Sequence, residues 1–370
     1  MAFLRSAHST TAVIAGAALV VAVTAGFGLA STHRSSKLAS TTSSTPLVIV
    51  PAPSPSFVRN FNPFAPNPLQ PTLAGVYEPL YIVSYVNHSK VTPWLATSSK
   101  WSTDLQTLTF TIRHGVTWSD GKPLTASDVY FTLNFGKTNP ALDKAGLWGP
   151  RGLASSVTMS GDTVSIHFKR VDVSVFPSLV NNVYIVPAHI WSRVKDPLNW
   201  TNPDPVGPRP FTRVLNFSSQ SYYLGRNPAY WQASKVKVGT LRFPAYNGND
   251  SATLDAASGK IDWGGLFIPN VQRVYVARNP TYFHYFYSTA NVPAMLYLNT
   301  TTYPYSLVAF RQALSMAINR LALQNNAEYG YEPAAHITGL NGLWPSWIDR
   351  SISNAPAQYD VVAARSEAHV

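Results

Sequence analysis

The sequence predicts a mixed α/β protein of two or three domains, on three observations. The chain has 370 residues, and a typical domain has about 150. Hydrophobic residues make up 45% of the chain, which is enough for sizeable cores. Segments with the period-2 pattern of strands alternate along the chain with segments at helical spacing, and this mixed order is typical of α/β or α+β domains.

Alternating and β-branched residues predict the strands. The run Leu47–Val50 predicts the first strand of the folded part. Leu108, Phe110 and Ile112 alternate with threonines, which predicts a strand with one buried and one polar face. Two hairpins are predicted from turn residues, at Ser160-Gly161-Asp162 between 157–159 and 164–168, and at Ser218-Ser219 before 222–231.

Capping residues and apolar spacing predict two helices. Thr125 followed by Asp128 has the pattern of a capping box, so we expect a helix to begin there. Ser306 is the candidate N-cap of a second helix. Its apolar positions at helical spacing are Phe310, Leu314, Ala317, Ile318 and Leu321.

The N-terminal segment predicts export. Residues 11–30 are apolar or small throughout, and residues 9–32 contain no charged residue and no histidine. We interpret residues 1–30 as a signal peptide or an uncleaved membrane anchor, and both remain open. Residues 31–45 are rich in serine and threonine and predict a flexible linker. The folded part would then be periplasmic or at the cell surface, tethered by residues 11–30 if these are retained.

The composition excludes several kinds of chemistry. The chain has no cysteine, which excludes disulfides, thiolate metal sites and cysteine nucleophiles. Its nine histidines are scattered and lack metal-ligand spacing, so we expect no metal and no cofactor. The net charge is +11, but basic residues occur singly or in pairs, and we expect no nucleic acid as partner.

Charge is sparse, and an acidic exterior is one explanation. Only 12% of the residues are charged, and 17 are acidic. Carboxyl groups that are protonated in acid are neutral and cannot offset the positive charges of lysine and arginine. A protein adapted to acid is therefore expected to contain few of them. A protein that unfolds at pH 4 but is stable at pH 8 would contradict this hypothesis.

An ordered set of motifs resembles a known family. The segments are Val76–Tyr81 (VYEPLY), Pro93–Ala96 (PWLA), Trp101–Asp104 (WSTD), Trp118–Val129 (WSDGKPLTASDV), Tyr223–Trp231 (YLGRNPAYW), Ser258–Asp262 (SGKID) and Phe310–Arg320 (FRQALSMAINR). This succession resembles family 5 of the bacterial extracellular solute-binding proteins, the oligopeptide- and dipeptide-binding components of ABC importers. The resemblance runs from about residue 46 to the end of the chain.

The resemblance implies a periplasmic-binding-protein-like fold of type II, with two α/β lobes, a hinge and an extra subdomain. Lobe I would comprise residues 46–75 and 190–266, the subdomain residues 76–189, and the start of lobe II residues 267–370. Family members continue past the position of Val370, so we expect lobe II to be incomplete. Ligand would bind in the cleft between the lobes and close them.

The resemblance also implies the function and the candidate ligand residues. The chain would capture oligopeptides without catalysing a reaction and deliver them, as a monomer, to a membrane permease with its ATPase. The candidate ligand-binding residues are Asn60, Phe61, Asn62, Phe64, Trp148, Trp263 and Gly264. Aromatic rings among them could stack on a sugar face or line a side-chain pocket.

Three other functions remain open. The same mechanism could serve an oligosaccharide ligand. Ser192 and Lys195 match the S-x-x-K pattern of penicillin-recognising serine enzymes, which would suit an anchored serine hydrolase. A peptide-sensing receptor or chaperone would bind ligand without a permease.

Overall fold

The computed structural model describes residues 2–5, 45–84, 90–149, 151–286, 295–331, 335–338, 348–349, 351–352 and 358–368. The chain divides into a larger unit, residues 5–266, and a smaller unit, residues 1–4 and 267–370. The predicted signal or anchor segment lies outside the described residues except at residues 2–5, and the linker lies outside them except at Thr45. Within the described residues, no helix is long and apolar enough to cross a membrane. The division of residues 46–266 into a lobe and a subdomain stays a prediction.

The bounds of the elements confirm the predicted mixture of strands and helices. The strands are β1 (Ala2–Arg5), β2 (Leu47–Val50), β3 (Tyr81–Ser84), β4 (Lys90–Pro93), β5 (Ala96–Trp101), β6 (Thr107–Ile112), β7 (Ala154–Ser160), β8 (Thr163–Phe168), β9 (Phe211–Ser218), β10 (Ser221–Arg226), β11 (Thr240–Pro244), β12 (Trp263–Gly265) and β13 (Phe283–Phe286). The α-helices are α1 (Ala126–Phe135), α2 (Val175–Asn182), α3 (Ala188–Trp191), α4 (Asn249–Ala257), α5 (Val271–Val274), α6 (Val308–Ala317), α7 (Arg320–Asn326) and α8 (Val361–Ala368). Both predicted hairpins are present, as β7–β8 and β9–β10.

A mixed sheet organises one half of the larger unit. Its strands lie in the order β12-β2-β11-β10-β9. β2 runs parallel to both β12 and β11, while β10 is antiparallel to its two neighbours. Parallel strands need a crossover, and α4 supplies it between β11 and β12. The carboxyl ends of β2 and β12 therefore meet at one edge of this sheet.

An antiparallel sheet organises the other half of the larger unit, with strands in the order β5-β6-β8-β7. Leu108, Phe110 and Ile112 are buried while the threonines between them are half-buried, as the alternation predicts. α1 packs against β7 and β8. Buried residues of both sheets belong to one continuous hydrophobic core.

The capping box at α1 is present as predicted. The Thr125 hydroxyl accepts a hydrogen bond from Ser127 N (3.3 Å), and the Asp128 carboxylate accepts one from Thr125 N (3.0 Å). Two otherwise unpaired backbone donors are thereby satisfied at the start of the helix. The same Asp128 carboxylate also accepts from Ala188 N (2.9 Å), which ties α1 to α3.

Replacing Thr125 by alanine should lower the free energy of unfolding by about 1 kcal/mol, because the Ser127 N–H loses its acceptor. Urea unfolding followed by circular dichroism measures the change. Thr103→Ala, at an exposed turn position, serves as the control and should change the free energy by less than about 0.5 kcal/mol. Equal losses in the two variants would contradict the capping role.

The second predicted helix differs from the expectation in two ways. Leu307, not Ser306, is the N-cap of α6, and it makes no side-chain capping bond. The helical spacing also does not continue to Leu321, because the chain is extended at Ile318. Asn319 then caps a separate helix, α7, by accepting from Ala322 N (2.8 Å). An asparagine side chain that bonds the following backbone competes with helix continuation, which explains the break.

The helices α6, α7 and α8 of the smaller unit bury few of their described side chains. α6 packs against α8. Among the described side chains of α6, α7 and α8, only Ala313 and Ala364 are buried. Arg311 and Arg320 donate to the backbone carbonyls of Tyr305 and Ser315 (both 2.7 Å). Both arginines thus anchor backbone carbonyls.

Candidate functional site

Asn62 forms a buried polar network. Its Nδ2 donates to the carbonyls of Pro197 (2.7 Å) and Trp200 (2.7 Å), and its Oδ1 accepts from Phe64 N (2.8 Å). The side chain is completely buried. This asparagine therefore joins the segment after β2 to the segment after α3, more than 130 positions later in the chain.

Phe61 and Phe64 lie on either side of Asn62 and are also buried. The Phe61 ring packs edge-on against Tyr222, and the Phe64 ring packs against Phe135 and Trp191. All three side chains, Phe61, Asn62 and Phe64, pack in the core of the larger unit, and their contact with a ligand stays a prediction.

Asn60 begins the same segment and is half-buried. Its Oδ1 accepts from Asn62 N (3.0 Å), and its carbonyl accepts from Leu69 N (2.9 Å). The side chain shapes the turn on which Asn62 sits while part of it remains accessible.

Trp263 and Gly264 lie on β12, at the edge where the parallel strands end. Trp263 is opposite Ile49 and Gly264 opposite Val50. In open α/β sheets, ligands bind outside the carboxyl ends of the strands. The Trp263 indole is half-buried, and its Nε1 has no hydrogen-bond partner among the described residues. This nitrogen is itself buried, and a buried donor without a partner calls for an explanation, of which a ligand acceptor is one.

The backbone beside Trp263 is tightly packed. A Cβ atom at Gly265 would lie 2.2 Å from the Pro51 carbonyl oxygen, so only glycine fits there. The Asp262 carboxylate accepts from Val48 N (2.9 Å), and Asp262 N donates to the Val48 carbonyl (3.0 Å). These contacts fix the position of β12, and with it that of Trp263.

Trp148 lies in another part of the larger unit, beside α1. Its indole N–H donates to the Leu133 carbonyl (2.6 Å), and the Lys137 ammonium is 4.2 Å from the ring centroid. The Asp143 carboxylate accepts from the backbone N–H of Trp148 (2.6 Å). A small, partly open cavity next to this loop is lined by residues that include Phe64, Leu133, Lys144, Leu147 and Tyr184. One face and the polar atom of Trp148 are thus already engaged.

The structure brings the candidates together only in part. Phe64 and Trp148 both contact α1, through Phe135 and Leu133. Trp263 and Gly264 lie at β2 instead. Trp94 packs edge to face against Trp231, and the Trp101 ring lies tilted against Phe168.

The sequence analysis did not single out Glu78 as a candidate site residue. It belongs to the VYEPLY segment of the family resemblance, and its side chain is completely buried. One sequence signal could have found it, since Glu78 is the only glutamate among residues 1–327. In the part of the chain that the structure describes, no three His, Asp or Glu side chains are grouped so as to hold a metal ion.

Comparisons with known proteins identify relatives along most of the chain. Residues 90–368 match the family model of bacterial extracellular solute-binding proteins, family 5, middle region. The nickel-binding periplasmic protein of Escherichia coli is 27% identical over 335 residues, which cover 86% of this chain and 61% of the relative. The oligopeptide-binding protein OppA of Bacillus subtilis is 24% identical over 65% of this chain and 47% of its own length.

Solved structures of relatives have the same fold. A periplasmic oligopeptide-binding protein of Thermotoga maritima superposes with a TM-score of 0.76 at 26% identity, over 88% of this chain and 62% of that chain. A second structure of that protein, with mannohexaose bound, superposes with a TM-score of 0.73. The chain thus spans 47–62% of the length of these relatives. The expected periplasmic-binding-protein-like fold and the family resemblance are both confirmed.

Proposed function

The chain belongs to family 5 of the bacterial extracellular solute-binding proteins, and from this membership we propose that it is the substrate-binding component of an ABC importer. It captures oligopeptides outside the cytoplasm and delivers them to a membrane permease that works with an ATPase. The observation that carries the proposal is the similarity to the Thermotoga maritima oligopeptide-binding protein, which extends over 88% of this chain.

An oligosaccharide is the second candidate ligand. The same Thermotoga maritima protein has been solved with mannohexaose bound. This chain has 10 tryptophans and 19 tyrosines, and such rings stack on sugar faces.

The anchored serine hydrolase is a more distant alternative. Ser192 and Lys195 are both exposed, and no hydrogen bond joins their side chains among those found in the described residues. Labelling of Ser192 by a fluorescent penicillin would support the hydrolase.

Asn60, Trp263 and Gly264 are the proposed ligand contacts in the larger unit, with Trp148 as an outer contact. The placement of Trp263 at the carboxyl end of β12 supports this choice, as does its indole N–H without a partner among the described residues. A peptide carbonyl or a sugar hydroxyl can accept from that donor. Phe61, Asn62 and Phe64 support the site from the core.

A thermal-shift screen of the chain tests the ligand class. Binding to the native state raises the melting temperature by mass action, and a hundredfold excess over Kd stabilises it by about 2.7 kcal/mol. Di- to octapeptides should raise the melting temperature. A response to manno-, cello- or xylo-oligosaccharides alone would favour the sugar ligand, and a response to nickel–histidine alone would contradict both.

Replacing Trp263 by phenylalanine should weaken binding of the responding ligand about tenfold, because the ligand loses one buried hydrogen bond. Titration of wild type and variant with the ligand that responds in the screen measures the difference in Kd. Trp101→Phe is the matched control, since Trp101 is also half-buried but packs against Phe168 in the antiparallel sheet. Unchanged affinity in Trp263→Phe would remove Trp263 from the site.

A further inference from the structure

The carboxyl group of Glu78 lies in the core, and no cation among the described residues is bonded to it. Its side chain is completely buried. Oε2 accepts from the Trp231 indole N–H (3.3 Å), and Oε1 has no hydrogen-bond partner among the described residues. A buried carboxylate without an ion pair is costly, whereas a protonated carboxyl group is tolerated.

The two cations nearest to Glu78 are bonded to backbone carbonyls. Arg209 donates to the carbonyls of Tyr77 (2.6 Å) and Ala74 (2.8 Å). Arg113 donates to the Trp94 carbonyl (2.6 Å), and its guanidinium lies 4.7 Å from the Trp231 ring centroid. Each arginine thus holds a piece of backbone in place, and neither bonds the carboxylate.

The elements around Glu78 are distant in the chain. Glu78 precedes β3, Trp94 lies between β4 and β5, and Trp231 follows β10; the two indoles are 5.1 Å apart, edge to face. The titratable and charged groups near the carboxyl group are Arg209, Arg113 and the phenol of Tyr230, with Tyr184 beside Arg209. We call Glu78, Trp94, Arg113, Arg209 and Trp231 the Glu78 cluster. It joins residues 76–113 to residues 209–231.

We propose that the Glu78 cluster is a pH-sensitive latch: these two stretches of the larger unit pack tightly around the neutral carboxyl group, and the cost of burying its charge loosens them when Glu78 ionises. The latch is a property of the fold and does not depend on the identity of the ligand. A protein with this latch is most stable in acid. This agrees with the acidic exterior that the small number of charged residues suggests.

The direction in which the pKa of Glu78 is shifted supports the latch. Burial raises the pKa of Glu78 to about 7; the charge of Arg209, the indoles of Trp94 and Trp231, and the charge of Arg113 lower it but do not outweigh burial. A carboxyl group with a raised pKa in the native state binds more protons there than in the unfolded chain. Its contribution to stability is therefore complete below the ordinary pKa of 4.5 and is lost as the pH rises to about 7.

Glu78→Gln keeps the size and hydrogen-bonding capacity of the neutral carboxyl group but cannot ionise. Between pH 4.5 and pH 7.5, the unfolding equilibrium constant of wild type should rise on the order of 100-fold relative to that of Glu78→Gln. Urea unfolding at a series of pH values measures this ratio. Glu328→Gln, at an exposed site in the smaller unit, is the control, and its ratio to wild type should stay constant. A constant ratio for Glu78→Gln as well would overturn the proposal.

Hydrogen exchange shows where the protein loosens. Peptides that cover residues 74–82 and 226–236 should exchange faster in wild type at pH 7.5 than at pH 5, after correction for the intrinsic rates. In Glu78→Gln their corrected rates should be the same at both pH values.

If Glu78→Gln does not fold, Trp231→Phe tests the same point. This variant removes the indole N–H that favours the ionised carboxylate, which raises the pKa of Glu78 further. The pH range over which stability falls should therefore lie higher in Trp231→Phe than in wild type. An unmoved range in Trp231→Phe would count against the latch.

Discussion

Replacing Asn62 by alanine should lower the free energy of unfolding by about 4 kcal/mol. The variant leaves the Pro197 and Trp200 carbonyls and the Phe64 N–H unpaired inside the larger unit. Each buried polar group left without a partner costs about 1–3 kcal/mol, and the loss of the side chain adds a small cavity. Urea unfolding at neutral pH measures the change.

Asn199→Ala is the matched control for Asn62→Ala. Asn199 is exposed, and its Nδ2 bonds only the nearby Asp196 carboxylate (2.8 Å). The control should change the free energy of unfolding by less than about 0.5 kcal/mol. A loss below about 1 kcal/mol in Asn62→Ala would show that the network does not hold the two segments together, and the residue could then serve a ligand after all.

Replacing Gly265 by alanine should lower the free energy of unfolding by about 3 kcal/mol. The new Cβ would lie 2.2 Å from the Pro51 carbonyl oxygen, so the end of β12 has to move away from the segment that follows β2. Forced shifts of packed backbone cost about 1–3 kcal/mol. Because Trp263 stands on the same strand, the melting-temperature shift produced by ligand should also shrink in this variant.

Gly248→Ala is the control for this steric effect. A Cβ at Gly248 meets no atom within 4 Å, and the residue is the extended N-cap of α4. Alanine is a poorer N-cap than glycine, so this variant should cost about 0.5–1 kcal/mol. If Gly265→Ala is as stable as Gly248→Ala, the close approach of β12 to Pro51 is not tight, and the fixed position of Trp263 is not supported.

The parts of the fold that depend on local chemistry could be predicted from the sequence. The alternation of Leu108, Phe110 and Ile112 with threonine specifies a half-buried strand by itself, and Thr125 with Asp128 specifies a helix start within four residues. Where a local signal competed with another, the prediction was wrong: the spacing through Ile318 indicated one helix, but the capping of α7 by Asn319 divides it.

The candidate site could be predicted less well because its environment is made by distant residues. Asn62 is a predicted ligand contact, and only the structure shows that its side chain is buried and bonds the Pro197 and Trp200 carbonyls. Glu78 is similar, since its surroundings come from Trp94, Arg113, Arg209 and Trp231. Neither set of neighbours follows from spacing along the chain. The edge position of Trp263 likewise depends on the pairing of β12 with β2.

Isothermal titration of the chain with oligopeptides tests the central claim most directly. Solutions of single di- to octapeptides are titrated into the purified chain, whose cooperative unfolding is checked in the same buffer. The account predicts saturable, one-to-one binding of at least one peptide length, weakened in Trp263→Phe and unchanged in Trp101→Phe. A chain that unfolds cooperatively yet binds no peptide saturably would contradict the proposed role in oligopeptide import.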